Sequence, residues 1–302
     1  MTLPLVWIII VNWNNVSDLR ECIDSLNKMK YPNYKILVVD NGSSDESKNF
    51  LKEQDSISVI LLESNEGFVG GNNIGIDYAL KNFADFLLLL NNDTLVDPFF
   101  LQNLISEIEK DDSYGIAGPL ICYESERNKI WSAGGKIDLS RGETSMIGIG
   151  RSVEEFSILS PYPVDFITGC AFLVKRSVIE KIGLLDSKFF AYYEETEFCF
   201  RAKKAGWEII VVPSSRIWHK ISPEVRASSK TVHYYMVRNR LLFIRLADLG
   251  FLTYIRALCE DFRTFVSWNI KPKWKDKRKL IPVHFQAIVD NFLNHWGKKS
   301  FE

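Results

Sequence analysis

Along the first 120 residues the apolar positions alternate between two periods. Val6–Val11 is an unbroken apolar run closed by Asn12, the pattern of a strand buried on both faces. Ser17–Met29 follows with apolar residues at 19, 22, 23, 26 and 29, which is the spacing of one helical face. Lys35–Val39 reads as a second strand stopped by Asp40-Asn41-Gly42, Asp45–Gln54 as a short helix and Ser56–Leu62 as a third strand. A glycine-rich turn, Asn65–Gly71, leads into a helix over Asn72–Asn82. Phe86–Leu90 is a fourth strand ending in Asn91-Asn92-Asp93, Pro98–Lys110 a helix with proline near its first turn, and Gly115–Ile121 a further strand. This β-α-β-α order predicts an α/β fold with a mostly parallel central sheet flanked by helices.

Beyond residue 120 the pattern loosens. Asp138–Pro163, rich in Gly, Ser and Pro, predicts a long loop. Val164–Val174 resumes a strand pattern, Glu194–Gly206 a helix with a glycine stop, and Glu208–Val212 a strand. From Thr231 helical spacing runs through Phe265, and a second helix covers Pro282–Trp296. The expected boundary falls near residue 225. It separates an α/β domain, 1–225, from a helical C-terminal extension, 226–302. The α/β domain divides near residue 120 into a regular half, about residues 1–120, and a looser half, about residues 121–225.

Composition narrows the function. The chain has 302 residues, 46% of them hydrophobic, enough for one large domain with a helical appendage. Its 37 basic and 38 acidic residues leave a net charge of −1, which argues against a dedicated nucleic-acid binder. The charge is uneven, however. Lys271–Lys279 is strongly basic and interleaved with Trp268 and Trp274, which suits either an anionic membrane surface or a solvated loop between core helices. Leu241–Phe265 is apolar but broken by Arg245, Asp248, Arg256, Glu260, Asp261 and Arg263, so it does not read as a membrane span. Five scattered cysteines without a CxxC pair predict neither a disulfide framework nor a zinc site, and fit a reducing cytoplasm. No signal-peptide pattern is apparent, since Leu5–Val11 is too short.

In open parallel sheets ligands bind beyond the carboxyl ends of the strands. Here those ends carry Asn12 and Asn14, Asp40, and Asn91–Asp93. Each could be a simple turn or terminator, but together they converge as a nucleotide site requires. The glycines of Asn65–Asn73 would let backbone approach a ligand, although the spacing is not that of a dinucleotide fingerprint. Asp93, delivered by an apolar strand between amides, suits a hard divalent cation shared with a diphosphate; the competing assignment is the N-cap of the next helix. Glu194, Glu195 and Glu197 follow two tyrosines. They are either acids favoured at a helix start or the source of a general base for an acceptor hydroxyl. His219 follows a late strand.

Taken in order, VNWNN (11–15), VVDNGSSD (38–45), NEGFVGGNN (65–73), LLLNNDT (88–94), TGCAFLVKR (168–176), YYEETEFCFR (192–201) and WHKIS (218–222) resemble the family 2 glycosyltransferases, in particular their rhamnosyltransferase-like branch. The resemblance implies a GT-A fold, a nucleotide-diphospho-sugar donor, Mg²⁺ or Mn²⁺, and inversion at the anomeric carbon. Carried over by position, Asp40 would hold the nucleobase or ribose with Asn12 beside it. Asn65, Gly67, Gly71 and Asn72 would border the donor. Asn91-Asn92-Asp93 stands where the family has DxD, so one metal carboxylate, Asp93, remains, and His219 matches a histidine that completes the metal site in some members. Thr168 and Gly169 fall on the acceptor side. Glu194-Glu195 matches the family's Glu-Asp pair, whose second member is usually the base. Here it is Glu195, one methylene longer, so that Glu194 could share the role.

The mechanism expected is a single in-line displacement in which Glu195 takes the acceptor proton. The first donor expectation is dTDP-L-rhamnose, with UDP-sugars of the same family as the alternative. The acceptor would be a saccharide, on its own or on a polyprenyl carrier, in cell-surface polysaccharide synthesis. Peripheral contact through 268–279 would place the enzyme on the inner face of the plasma membrane. A nucleotidyltransferase should carry a glycine- and basic-rich loop after its first strand, where this chain has NWNNVSD. A non-catalytic nucleotide-sugar binder would not need the acids that persist, and a hydrolase would need a second clearly placed one.

Overall fold

The computed structural model describes residues 3–221 and 228–301. Ser222 of the WHKIS motif and the boundary expected near residue 225 lie outside the described residues.

Strands β1 (Val6–Asn12), β2 (Tyr34–Asp40), β3 (Ser58–Leu61) and β4 (Phe86–Asn91) are parallel, in the order β4-β1-β2-β3. Helices α1 (Val16–Leu26), α2 (Ser47–Lys52) and α3 (Gly67–Lys81) connect them. The apolar run of β1 has the expected consequence. Ile8 and Ile10 enter a core with Leu19 and Cys22 on one face, while Trp7 and Ile9 enter another with Val69 and Ile76.

After β4 come β5 (Thr94–Val96), α4 (Phe100–Ile108), β6 (Tyr114–Tyr123), β7 (Ile130–Ser132), β8 (Gly135–Asp138), β9 (Glu143–Met146), β10 (Tyr162–Pro163), β11 (Ala171–Lys175), α5 (Arg176–Ile182), α6 (Glu194–Lys204) and β12 (Glu208–His219). The sheet reads β10-β12-β6-β11-β4-β1-β2-β3, with β5 on β12 and β7 on β6. Parallel β6 and β12 join the first half through β11, which is antiparallel to both β4 and β6. Strands β8 and β9 form a separate hairpin, and the segment 138–163 expected to be loop supplies its turn and β9, and ends in the short β10.

Three expectations change. The glycine-rich stretch is not a turn ahead of the helix, because α3 already begins at Gly67. A Cβ on Gly71 would lie 2.8 Å from Val11 Cγ1, and one on Gly75 would collide with Ile9, so these glycines let α3 lie close against β1. The strand expected over Val164–Val174 starts only at Ala171, because Thr168 turns its hydroxyl onto the Cys170 N–H (3.2 Å). The strand expected over Glu208–Val212 continues through an irregularity between Val212 and Arg216 as far as His219.

The C-terminal part comprises α7 (Lys230–Leu246), α8 (Phe251–Ile270), a 3-10 stretch (Pro272–Leu280) and α9 (Ile281–Phe292). Helix α7 is part of the core: Leu242 and Phe243 pack in the same cluster as Trp7 and Ile9, and Arg238 and Asn239 are buried.

Candidate active site

The carboxyl ends of β1, β2 and β4, the end of β12 and the start of α6 surround a cleft of about 480 Å³. Of the residues singled out in the sequence, Asn65, Gly67, Asn92, Asp93, Thr168, Gly169, Glu194, Glu195 and His219 line it. Asn12, Asp40, Gly71 and Asn72 stand behind its wall, all buried. There they form a support. Asn92 donates to Asn12 Oδ1 (2.7 Å), Asn12 donates to Asp40 Oδ2 (3.2 Å), and Asp40 Oδ1 accepts from the Ser43 N–H (3.0 Å). Asn41, at the cleft, donates to Asn65 Oδ1 (3.2 Å) and to the Gly67 carbonyl (3.0 Å), joining β2 to the start of α3.

Asp93 sits in the turn between β4 and β5. Because β5 pairs antiparallel with the end of β12, Thr94 lies opposite His219, and this register brings His219 Nε2 to 3.1 Å from Asp93 Oδ1. His219 is 4% exposed and packs edge-on against Trp131 at 4.6 Å. Asp93 is not a helix cap, since β5 intervenes and α4 starts at Phe100. The atoms that converge are Asp93 Oδ1 and His219 Nε2, while His219 Nδ1, the other ring nitrogen, is buried without a hydrogen bond. A carboxylate oxygen and an imidazole nitrogen converging in this way fit a divalent cation such as Mn²⁺ or Mg²⁺. No cluster of three or more His, Cys, Asp or Glu able to hold a metal occurs among the described residues.

The acidic turn is held under backbone strain. Tyr192 and Tyr193 both have positive φ, 68° and 71°, immediately before Glu194. Asn239 of α7, fully buried, donates its amide to the carbonyls of Ala191 and Tyr192, both at 2.8 Å. On the other side Gly67, at φ 78°, lies where a Cβ would come within 2.5 Å of the Phe190 carbonyl, and the Val69 N–H donates to that same oxygen (3.3 Å). Glu197 is engaged structurally: Arg201 Nε lies 2.6 Å from its Oε1, and Arg201 also donates to the Leu184 carbonyl (2.9 Å). Glu194 and Glu195 are the two acids of this turn on the cleft wall. Burial pushes the neighbouring Tyr193 hydroxyl up to about 12, so it stays protonated, and it donates to the Gly142 carbonyl (3.3 Å).

Sequence comparison decides the family. The profile of glycosyl transferase family 2 matches residues 7–183, more than half of the chain. The chain belongs to glycosyltransferase family 2. Among its relatives, the dTDP-rhamnosyl transferase RfbF of Shigella flexneri is 23% identical, over 97% of this chain and 97% of its own length. The low-salt glycan biosynthesis hexosyltransferase Agl10 of Haloferax volcanii is 31% identical over 67% of this chain and 62% of its own. The N-acetylglucosaminyl-diphospho-decaprenol L-rhamnosyltransferase of Mycobacterium tuberculosis is 24% identical over 61% and 66%. Two solved structures share the fold. GalNAc-T7 with UDP, GalNAc and Mn²⁺ superposes with a TM-score of 0.64 at 18% identity, covering 97% of this chain and 57% of its own. The mannosyltransferase PcManGT of Pyrobaculum calidifontis with GDP-Man and Mn²⁺ gives 0.59 at 13% identity, covering 98% and 89%. The fold is GT-A.

The same cleft is also walled by side chains that the sequence did not single out as site residues. Trp13, Phe68, Trp131, Met146, Phe190 and Tyr192 all line the cleft. Trp13 is 53% exposed although it sits inside the quoted VNWNN segment, and an exposed tryptophan between strand-end asparagines was the available signal. Trp131 and Met146 had none, since the short strands that carry them have no period of their own.

Proposed function

We propose that this glycosyltransferase is inverting and metal-dependent, moving L-rhamnose from dTDP-rhamnose to a saccharide or lipid-linked saccharide acceptor in cell-surface polysaccharide synthesis. The observation that carries the proposal is the opening of two acidic groups onto one cleft. Asp93 with His219 stands on the strand-end side, and Glu194 with Glu195 on the turn held by α7.

Asp93 and His219 are the residues that would hold Mg²⁺ or Mn²⁺, and the ion would supply Lewis-acid stabilisation of the leaving group. The Asn92–Asn12–Asp40 chain keeps the donor wall rigid around the nucleoside, with Asn65, Gly67, Gly71 and Asn72 shaping the same side. Thr168 and Gly169 border the acceptor. Glu195 removes the acceptor hydroxyl proton as its oxygen bonds to the anomeric carbon, and the carbon–oxygen bond to the diphosphate breaks on the opposite face. The donor half, about residues 1–120, and the acceptor half, about residues 121–225, divide these tasks.

The names of two relatives, a dTDP-rhamnosyl transferase and an L-rhamnosyltransferase, support rhamnose as the sugar. A UDP-sugar donor is the alternative, favoured by the UDP bound in the similar GalNAc-T7 structure. The second of the two relatives, whose name carries a diphospho-decaprenol, supports a lipid-linked acceptor. The basic run Lys271–Lys279 with Trp268 and Trp274 suits peripheral contact at the inner membrane face through 268–279.

The test is transfer from dTDP-rhamnose and a panel of UDP-sugars to saccharide acceptors, with the product's anomeric configuration read by NMR. Inverted product is expected, and Glu195→Gln should lower turnover about 100-fold or more while donor affinity holds. Retained turnover in that variant would move the base to Glu194. Nucleotide binding without transfer from any sugar would point instead to a non-catalytic binder.

A further inference from the structure

Helices α8 and α9 turn apolar stripes outward. On α8, Leu252, Ile255, Cys259, Phe262, Val266 and Ile270 recur at intervals of three and four residues, so they share one helical face, while Ala257, Asp261 and Trp268 are buried on the other. Phe251, Leu252, Phe262 and Ile270 on α8, and Phe285 and Phe292 on α9, are 62–83% exposed. Such side chains scattered singly need no explanation, but these are grouped. The Tyr254 hydroxyl donates to Asn291 Oδ1 (2.9 Å), and Trp268 packs on His284 (5.7 Å), which sets the two helices antiparallel. Phe251 and Phe292 wall the same surface depression, joining the stripes at one end.

Charge selects the occupant. The segment that links these helices, Lys271–Lys279, has five lysines and Arg278 against one acid, Asp276. Arg278 ties it to the end of α8 by donating to the Trp268 (3.1 Å) and Asn269 (3.0 Å) carbonyls. Arg256 and Arg263 border the α8 stripe. A groove beside it, lined by Arg141, Glu260, Arg263, Lys271 and Trp274, reaches the β8–β9 hairpin, whose Met146 lines the catalytic cleft. Glu260 pairs with Arg141 (2.8 Å) and Arg256 (3.6 Å), which leaves Arg263 and the lysines of 271–279 as the cationic excess.

The three-four spacing would also suit a coiled coil with a second copy. In a parallel pair, however, Arg256 and Arg263 would flank the seam opposite Leu258 and Phe265, with no acid to answer them. An apolar face rimmed by cations is instead complementary to anionic lipid.

We infer that α8 and α9 seat this chain on an anionic bilayer, their outward Phe and Leu side chains entering the acyl boundary and Lys271–Lys279 lying among the headgroups. The inference rests on the peripheral contact proposed above and replaces a single basic loop with a two-helix face. It is read without any transfer reaction, so its failure and that of the enzymatic assignment are separable.

The experiment is co-sedimentation of the full chain with vesicles of phosphatidylglycerol and phosphatidylcholine, against phosphatidylcholine alone. Binding to the anionic vesicles that weakens with salt is expected. The double variant Phe262→Ser/Phe292→Ser should bind at least tenfold more weakly. Lys273→Gln/Lys275→Gln/Lys279→Gln should bind about tenfold or more weakly, and only to the anionic vesicles. Both variants should keep the wild-type melting temperature, which shows that they fold. Equal pelleting of all three proteins, or no pelleting of the wild type, would overturn the inference. So would a stable dimer in sedimentation equilibrium that Phe262→Ser dissociates, which would assign the face to a second copy.

Discussion

Asn239 donates its amide to two successive carbonyls, those of Ala191 and Tyr192, at the point where the backbone enters the left-handed region for two residues. Such a conformation costs on the order of 1–3 kcal/mol per residue and persists only where its surroundings impose it. Without the amide, Tyr192 and Tyr193 would relax and shift Glu194 and Glu195 relative to the cleft. A displacement of about 1 Å can cost about 100-fold in rate. Asn239→Ala should therefore lower kcat about 10- to 100-fold while KM for the donor stays within about twofold. Steady-state kinetics decide the matter: unchanged kcat, or parallel loss of donor affinity, would contradict a positioning role. The acids themselves were legible in the sequence as three carboxylates after two tyrosines. The residue that aims them was not, because in the sequence Asn239 is one polar position in a helical run, and its two acceptors lie 48 and 47 residues away.

At the level of elements, the parallel strands β1, β2 and β4 were legible because each is an apolar run ending in a polar residue. Burial on both faces leaves little else for Val6–Asn12 or Phe86–Asn91 to be. The glycines of α3 read as a turn ahead of the helix because glycine serves equally for a turn and for close helix–strand approach, and composition does not separate the two. The side chains of Val11 and Ile9 show the second use at Gly71 and Gly75. The Asp93–His219 pair depends on β5, a three-residue strand, and on the extension of β12 past Val212. Both are products of tertiary pairing rather than of local propensity. The pairing of His219 with Asp93 therefore entered only through resemblance, and the register Thr94↔His219 supplies its physical reason.

Across the whole molecule, the three C-terminal helices pack on one another through buried titratable groups. His233 Nε2 and His284 Nδ1 are 3.0 Å apart between α7 and α9, and His284 Nε2 lies 3.7 Å from Asp261 Oδ1 on α8. Burial lowers both histidines from 6.5 to about 4 and raises Asp261 from 3.8 to about 7, with Arg240 opposing the latter. Unfolded histidines take up protons below 6.5 that the folded pair refuses until about 4, so this contribution to stability is lost as the pH falls through that window. The carboxyl works the other way, losing stability as the pH rises from 3.8 towards 7. Two histidines against one carboxyl leave a net loss on acidification of roughly 2–3 kcal/mol. Melting temperature should therefore fall from pH 6.5 to 5, with a shallower slope in His233→Phe; a flat wild-type profile would contradict this coupling. The central claim concerns the cleft that these helices support: a donor site whose nucleotide is held through a metal on Asp93. It is tested most directly by calorimetric titration of dTDP and UDP into the wild type and Asp93→Ala, with Mn²⁺ and with chelator. Metal-dependent binding that weakens about tenfold or more in Asp93→Ala, at unchanged melting temperature, is the predicted result. Nucleotide binding that is equally tight in chelator and in Asp93→Ala would contradict it.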